Sequence, residues 1–492
     1  MYIERVYDRG LAQASYVVGC GASGEAVVVD PIRDIEPYLE IARREGFELT
    51  HVTETHIHAD YVSGARELVA RTGARLYLSG EGGPDWQYAF AEEADAVLLY
   101  DGDSFEVGNV RIEALHTPGH TPEHLVFLVT DTVAADEPMG AFTGDFLFVG
   151  DAGRPDLLEK AAHLTDTMVA GARQLFHSLE AFKKLSDHLQ IWPGHGAGSA
   201  CGKSLGAVPT STLGYEKRFN WALQYEDEDA FVSGILEGQP EPPMYFAEMK
   251  RMNRDGPPIL GDPVPPRTLT ASELEDLRAS GGILVDARPR ADFERGHIPG
   301  SFTIPLDGSF ATWAGSVLPF DKPIALVLPD TDPERSRRAA RHLEVVGLDH
   351  LEGVVGPEAL EWWTAKGKNL EVVQNVPPKQ LEEQLQRGEA RVVDIRNSSE
   401  WEAKHIPGSL NLPLGRLPER LPDLPGDLPL VVYCGTGARA LVGLGALRAY
   451  GRDPVLHLEG DLGAWTGEGL PVVSGTGSDE ATRAVSGGEA RG

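Results

Sequence analysis

Thr55-His56-Ile57-His58-Ala59-Asp60-Tyr61 follows an apolar run and precedes a helical periodicity that starts at Val62. His, His and Asp at alternating positions in a strand-end loop point the same way, toward one site. Three later turns carry the same kinds of group. His120 lies in HTPGHTPEH (residues 116–124), where Pro and Gly force a tight turn; Asp145 closes FTGD (142–145) at the end of an apolar strand; His195 lies in WPGHG (192–196). Four ligand-bearing turns, each after a strand, point to a metal site at one edge of a layered α/β domain. His51, His116 and His124 are read as structural.

The surrounding pattern agrees. Ser15–Cys20, Glu25–Asp30, His51–Thr53, Arg75–Leu78, Val110–Leu115, His124–Val129 and Ala141–Gly144 read as strands. Ile35–Arg44, Val62–Arg71 and Leu164–Leu179 carry helical periodicity. The Pro-dense stretch 238–266 reads as a linker with one short helix near Tyr245–Met252. Beyond it the chain repeats itself. ILVDARPRADFERGHIPGSFTIPL from Ile283 resembles RVVDIRNSSEWEAKHIPGSLNLPL from Arg391, so that Asp286 matches Asp394 and His297 matches His405. The expected division is 1–237, 238–266, 267–374, 375–475 and a disordered tail, 476–492.

The 492 residues are 41% hydrophobic and 24% charged, an ordinary globular balance that excludes fibrous and wholly disordered chains. Lys and Arg total 44 against 75 Asp and Glu, a formal charge of −31, which disfavours nucleic acid and anionic membrane as partners. Three scattered cysteines, Cys20, Cys201 and Cys434, are no disulfide framework. With a charged N-terminus and no long apolar run, the chain is expected to be soluble and cytoplasmic. A homo-oligomer is compatible with the acidic surface.

In the second copy an apolar strand runs into Cys434-Gly435-Thr436-Gly437-Ala438-Arg439, followed by a helical stretch, Ala440–Tyr450. A loop closing onto a helix N-terminus aims backbone N–H groups inward, a cradle for a thiolate, a persulfide or an oxyanion. Arg439 adds charge at the rim. In the first copy Asp330 falls where Cys434 stands and Arg335 where Arg439 stands, so that copy is expected to be catalytically dead. Asp394 and Arg396 are read as fold-holding residues. In the N-terminal domain, Cys201 lies six residues beyond His195 on a Gly-rich loop, a candidate thiol for accepting or positioning sulfane sulfur. Lys203 is a candidate for lowering its pKa or meeting an anionic substrate. Arg154 in GDAGRPDLL is read as an ion-pair partner of Asp156 or a contact for a substrate anion.

His-x-His-x-Asp, PGHTP, TGD and PGH together resemble the metallo-β-lactamase superfamily over about the first 235 residues. The resemblance implies an αββα sandwich. In that superfamily one metal position draws on His56, His58 and His120 and a second on Asp60, residue 61 and His195, with Asp145 able to bridge. Tyr61 stands where dinuclear zinc hydrolases usually carry histidine, and a neutral phenol is a poor ligand. One metal is therefore favoured over two. His56, His120 and Asp145 make the two-imidazole, one-carboxylate set of non-haem Fe(II) oxygenases. THIHADxxSG, DGD (101–103), HTPGHTP and TGD are similar to the persulfide dioxygenase branch, which implies one Fe(II) per chain on those three residues, with His58, Asp60, Tyr61 and His195 around them.

DIRNSSEWEAKHIPGSLNLPL and CGTGAR resemble rhodanese domains, which implies that Cys434 is the nucleophile that becomes a persulfide and that residues 435 to 439 form its loop. The expected architecture is α/β throughout, an N-terminal αββα sandwich followed by two α/β rhodanese domains. The expected chemistry is oxidation of a low-molecular-weight persulfide (of glutathione, coenzyme A or bacillithiol type) by O₂ to sulfite, coupled to a sulfurtransferase that makes or uses thiosulfate. Two other readings stand beside it: a dinuclear zinc thioesterase of the glyoxalase II type with an attached sulfurtransferase, and a persulfide carrier or redox sensor without oxygenase turnover.

Overall fold

The strand β9, Leu125–Asp131, shows how the N-terminal layers are built. Its odd-numbered residues Leu125, Phe127 and Val129 pack with Tyr16, Val18, Val27 and Val29 of a second sheet, while Val126 and Leu128 pack with Leu175, Leu179 and Phe182 of a helix. Strand side chains alternate between faces, so a strand apolar on both faces is one that lies between two layers. The computed structural model describes residues 1–157, 167–203, 205–239, 241–262, 264–426 and 428–475. The expected tail, 476–492, and the first three residues of the expected Leu164–Leu179 helix lie outside them. Among the described residues no helix is long and apolar enough to cross a membrane.

The first unit holds two six-stranded sheets. One runs in sequence order through β1 (Tyr2–Asp8), β2 (Gln13–Cys20), β3 (Glu25–Val29), β4 (Glu48–Thr53), β5 (Arg75–Ser79) and β6 (Val97–Leu99). The other contains β7 (Ser104–Val107), β8 (Val110–His116), β9, β10 (Gly140–Gly144), β13 (Gln190–Pro193) and β14 (Ser211–Thr212), in the order β14-β13-β10-β9-β8-β7. A two-stranded ribbon, β11 (Leu147–Phe148) with β12 (Asp151–Ala152), follows β10. Because β9 is antiparallel to both β8 and β10, and β10 is parallel to β13, the strands β8, β10 and β13 all end at the same edge. That edge receives the turns bearing His120, Asp145 and His195.

The expected strands and helices are present with ends moved by a few residues; the helix read as Val62–Arg71 begins at Ala65. The stretch read as a linker needs correction. Its helix is longer, Tyr245–Asp255, and buries Tyr245, Phe246, Met249 and Asn253. Asn253 Nδ2 donates to the carbonyls of His58 (2.8 Å) and Tyr61 (2.7 Å), and its Oδ1 accepts from the N–H of Ser63 (2.9 Å). These bonds take up the backbone groups of the ligand loop, so the segment is a brace for that loop rather than a bare connector.

The second unit holds two parallel sheets. Four strands, β15 (Ile283–Asp286), β16 (Phe302–Thr303), β17 (Ile324–Val327) and β18 (Leu351–Val355), lie in the order β16-β15-β17-β18. Five more, β19 (Asn375–Val376), β20 (Arg391–Asp394), β21 (Leu410–Asn411), β22 (Leu430–Tyr433) and β23 (Val455–Leu458), lie in the order β19-β23-β22-β20-β21. Strands covered on both faces read as short continuous apolar runs, as β17 and β22 do. The sequence repeat is also a repeat of contacts. Arg288 donates from Nε (2.9 Å) and Nη2 (2.6 Å) to Asp286 and from Nη2 to the carbonyl of Gly296 (2.8 Å). Arg396 does the same with Asp394 (2.9 and 2.6 Å) and the carbonyl of Lys404 (2.7 Å). His297 stacks on Phe293 and His405 on Trp401, at 3.7 and 3.9 Å between ring centres.

Two stability effects are expected. Asn253→Ala leaves buried carbonyls and an N–H without partners, at a cost of about 2–4 kcal/mol in urea unfolding followed through the N-terminal unit. Burial holds His297 down to about 4, against an ordinary value of 6.5. Between those values the unfolded chain binds a proton that the folded chain does not, so stability falls as pH drops through that window. The urea midpoint of the C-terminal unit should therefore decline from pH 7 to pH 5, and less steeply in His297→Gln.

Candidate functional site

The turn after β4 is tied to Asp30, the residue that follows β3. Its carboxylate accepts from the N–H of Thr55 (2.6 Å) and from the Thr55 hydroxyl (2.9 Å), and faces Nε2 of His58 (3.2 Å). The N–H of Ile57 donates to Glu123 (2.8 Å). Held on both sides, the turn brings His56 to His120 and Asp145. Nε2 of His56 lies 4.0 Å, and Nε2 of His120 3.6 Å, from Oδ2 of Asp145. All three residues are buried. Burial pushes His120 below its ordinary pKa and His56 well below it, so both rings are neutral and keep a lone pair for a cation. Nδ1–H of His120 donates to the carbonyl of Arg154 (2.9 Å), which leaves Nε2 as the free nitrogen. Oδ1 of Asp145 has no hydrogen-bond partner. Two unprotonated imidazoles and an under-satisfied buried carboxylate are a donor set that fits a metal ion.

A second group stands beside it: Asp60, His195 and Cys201, whose ligating atoms lie within 4.8 Å of one another. His195 donates from Nδ1 to the carbonyl of Ala12 (3.1 Å) and turns Nε2 to Asp60 Oδ2 (3.2 Å) and Asp145 Oδ1 (3.5 Å). A nitrogen lone pair facing two carboxylates needs a proton or a cation between them. The loop brings the Cys201 thiol to Asp60 and His195. Cys201 is buried, and that burial together with the Asp145 and Asp60 carboxylates pushes its thiol well above the ordinary value.

The other expected residues fall into place around these groups. Burial opposes charge on His58, but Asp30, Glu54 and Asp60 outweigh it and raise His58 to about 9. It serves Asp30 and is not among the clustered ligands. Tyr61 is buried against His58, its hydroxyl takes a bond from Gln13 (3.3 Å), and burial keeps the phenol protonated. Asp101 and Asp103 hold backbone N–H groups of His116 and Tyr100. Arg154 has no exposed surface; it pairs through Nε and Nη2 with Asp156 (2.8 and 2.7 Å) and bonds the carbonyl of Ala200 (2.9 Å), so the substrate role expected for it is withdrawn. Lys203 likewise spends its ammonium on the carbonyls of Gly234 (2.6 Å) and Glu237 (3.0 Å) and lies over Trp221, so it is neither a thiol activator nor an anion contact.

His124, read as structural, holds the centre from behind. Its Nδ1 bonds the Thr117 hydroxyl (2.9 Å) and its Nε2 accepts the N–H of Asp145 (3.2 Å). Sequence reasoning missed Asp30, Glu123 and Asn253 entirely. For Glu123 the signal was its place inside the HTPGHTPEH turn; for the other two the sequence carries none.

At the second site Cys434 directly follows β22 and is 1% exposed. Its N–H donates to Asp461 (2.7 Å), and Gly437 N–H donates to its sulfur (3.0 Å). Arg439 is not a free cation at the rim: it forms a two-pronged pair with Glu400 (2.6 and 2.8 Å). In the first copy Asp330 is half exposed and pairs with Arg335 (3.0 Å) across a loop with no thiol.

Comparison with known proteins agrees with this layout. Residues 8–195 match the metallo-beta-lactamase superfamily, and residues 270–356 and 377–468 each match the rhodanese-like domain. A solved metallo-beta-lactamase from Staphylococcus aureus subsp. aureus COL is 42% identical with a TM-score of 0.66, over 72% of this chain and 99% of that one. A probable metallo-hydrolase of Burkholderia pseudomallei is 31% identical over 31% of this chain and 60% of its own length. A hydroxyacylglutathione hydrolase of Polaromonas is 30% identical over 40% of this chain and 66% of its own. The chain thus spans about three fifths to two thirds of these two curated relatives.

The burial of Cys201 has a measurable consequence. In chelator-treated native protein at pH 8, iodoacetamide should label Cys201 at least tenfold more slowly than in urea, as read by peptide mass spectrometry.

Proposed function

Because the chain belongs to the metallo-β-lactamase superfamily and carries two rhodanese-like domains, we propose that it oxidises low-molecular-weight persulfides at one iron and transfers sulfane sulfur through Cys434. The observation that carries the reading is the triad His56, His120 and Asp145 beside a Tyr61 that is buried, protonated and bonded elsewhere. Two imidazoles and one carboxylate match Fe(II), which when bound supplies open positions for the substrate and O₂. The overall conversion is R-S-SH + O₂ + H₂O to R-SH + SO₃²⁻ + 2 H⁺. The outer sulfur is oxidised and O₂ takes the four electrons.

The protein's own part is orientation. Arg154 carbonyl fixes the His120 tautomer, His124 holds the Asp145 backbone, and Asp30 keeps His58 turned aside. Neutral rings that are already aimed need no rearrangement when a metal or substrate arrives. At the second site Cys434 attacks the outer sulfur of a low-molecular-weight persulfide and expels its thiol, Cys-S⁻ + R-S-SH to Cys-S-S⁻ + R-SH, and the enzyme persulfide gives its outer sulfur to sulfite: Cys-S-S⁻ + SO₃²⁻ to Cys-S⁻ + S₂O₃²⁻. Run backward, the same step draws sulfur from thiosulfate. The cytoplasm is the expected compartment, and glutathione, coenzyme A and bacillithiol persulfides are the expected substrates.

A second reading has an observation of its own. Asp60, His195 and Cys201 offer a second set of donors, and a dinuclear zinc centre there would favour thioester hydrolysis of the hydroxyacylglutathione hydrolase kind.

Protein purified without oxygen is expected to hold about one iron per chain and to consume O₂ with glutathione persulfide, forming sulfite or thiosulfate. His120→Ala and Asp145→Ala should lose iron and O₂ uptake. Cys434→Ser should keep O₂ uptake and lose sulfur transfer. Two zinc ions with thioester hydrolysis and no O₂ uptake would replace this reading with the second. Activity that depends on Cys434 alone would leave a persulfide carrier.

A further inference from the structure

The rhodanese copy without a cysteine touches the loop of the copy that has one. Arg290 lies at the start of the helix Arg290–Arg295 in the first copy. Its Nε is taken by Glu294 at 2.7 Å, one turn along the same helix, which aims the guanidinium outward. Its Nη1 donates to the carbonyl of Thr436 at 3.3 Å. Thr436 stands two residues after Cys434, inside the loop that cradles the sulfur.

That carbonyl belongs to the same peptide as the N–H of Gly437. The bond is trans, since the one cis peptide among the described residues is Asp453–Pro454. In a planar trans peptide the C=O and the N–H point in opposite directions. A donor that holds the Thr436 carbonyl to one side therefore sends the Gly437 N–H to the other, where it meets Cys434 Sγ at 3.0 Å. Gly437 has φ +87°, the left-handed region, and a β-carbon there would run into Nη1 and Nη2 of Arg290 and Oδ2 of Asp461. The left-handed backbone angle requires glycine at this position, and Arg290 lies directly against it.

The contact is part of a wider seam. The helix Ala438–Ala449, which the loop feeds, packs on β16 of the first copy so closely that a β-carbon on Gly445 would sit 2.7 Å from Thr303 Cγ2. Tyr450 donates to the carbonyl of Val317 at 2.7 Å, and its ring meets Phe302. Arg290 is thus presented to the loop by a firmly packed neighbour.

We propose that Arg290 is a positioning residue for Cys434: the cysteine-less copy orients the Thr436–Gly437 peptide so that its N–H bonds the attacking sulfur. This deepens the sulfur-transfer reading above and depends on it only for its effect on turnover. The N–H stabilises sulfur that carries negative charge, whether as thiolate or as persulfide. With the donor gone the peptide is free to turn, because Gly437 tolerates either orientation, and the sulfur loses its partner.

The test uses the full-length protein with Arg290→Met, Arg290→Gln and Arg290→Lys. Two rates are read: alkylation of Cys434 by iodoacetamide at fixed pH, followed on its own peptide, and conversion of thiosulfate and cyanide to sulfite and thiocyanate. In that reaction Cys-S⁻ takes the sulfane sulfur and releases SO₃²⁻, then CN⁻ removes the sulfur as SCN⁻ and restores Cys-S⁻. R290M should slow alkylation at least fivefold and lower kcat by a similar factor with KM for thiosulfate nearly unchanged. R290Q and R290K, which still donate to a carbonyl, should recover most of both. A lower melting temperature with unchanged Cys434 alkylation would make Arg290 a packing residue only and overturn the proposal. So would a rise in KM that lysine repairs and glutamine does not, since that marks an anion contact. Should R290M fail to fold, R290Q compared with R290E reads the same bond, because glutamate cannot donate it. A wild type that makes no thiocyanate defeats the sulfur-transfer reading, while the alkylation rates still decide the role of Arg290.

Discussion

The carboxylate of Asp30 is the point on which the metal edge turns. It follows β3, with its backbone in the left-handed region at φ 52°, and binds both the N–H and the hydroxyl of Thr55. That fixes the first residue of the ligand turn. The same carboxylate draws His58 out of the cluster, so His56 is the member of the His-x-His pair that meets His120 and Asp145. One acidic residue outside every recognisable motif therefore decides which histidine is available to a metal.

Burying so many polar groups in one place is costly unless each finds a partner. The chain meets that cost with braces drawn from far along the sequence. Glu123 holds the Ile57 N–H, Asn253 holds the carbonyls of His58 and Tyr61, and Ala12 takes the Nδ1 proton of His195. Among the groups that this bracing leaves without a hydrogen-bond partner is Asp145 Oδ1, beside two neutral imidazoles. Asp145 lies with the two rings in a group whose ligating atoms one cation could satisfy together.

The two rhodanese-like copies share a scaffold and divide its uses. Both lock the turn after their first core strand with an Asp–Arg pair and a histidine stacked on an aromatic ring. They differ in the loops that follow β17 and β22. In one copy Cys434 is enclosed by its loop; in the other Asp330 and Arg335 pair in the open. The first copy also meets the second along β16 and through Arg290, which reaches the loop around Cys434.

Local pattern alone determined a good part of this protein. Short apolar runs bounded by turns located the strands, the Asp286/Asp394 and His297/His405 matches exposed the repeat, and His56, His120, Asp145 and Cys434 announced themselves by sitting in turns after apolar runs. These are properties of a few neighbouring residues, and so they can be read in one dimension. The assignments for Arg154, Lys203, Arg439 and the stretch 238–266 needed the folded chain, because each depends on which partner a side chain finds. Arg154 finds Asp156 nearby but also a carbonyl 46 residues on; Lys203 finds carbonyls more than 30 residues away; Asn253 reaches back about 190 residues to the ligand turn. A charge or an amide in a sequence advertises a capacity to bond. Only tertiary structure decides where that capacity is spent, because burial removes water as the default partner and leaves the nearest protein group to take its place.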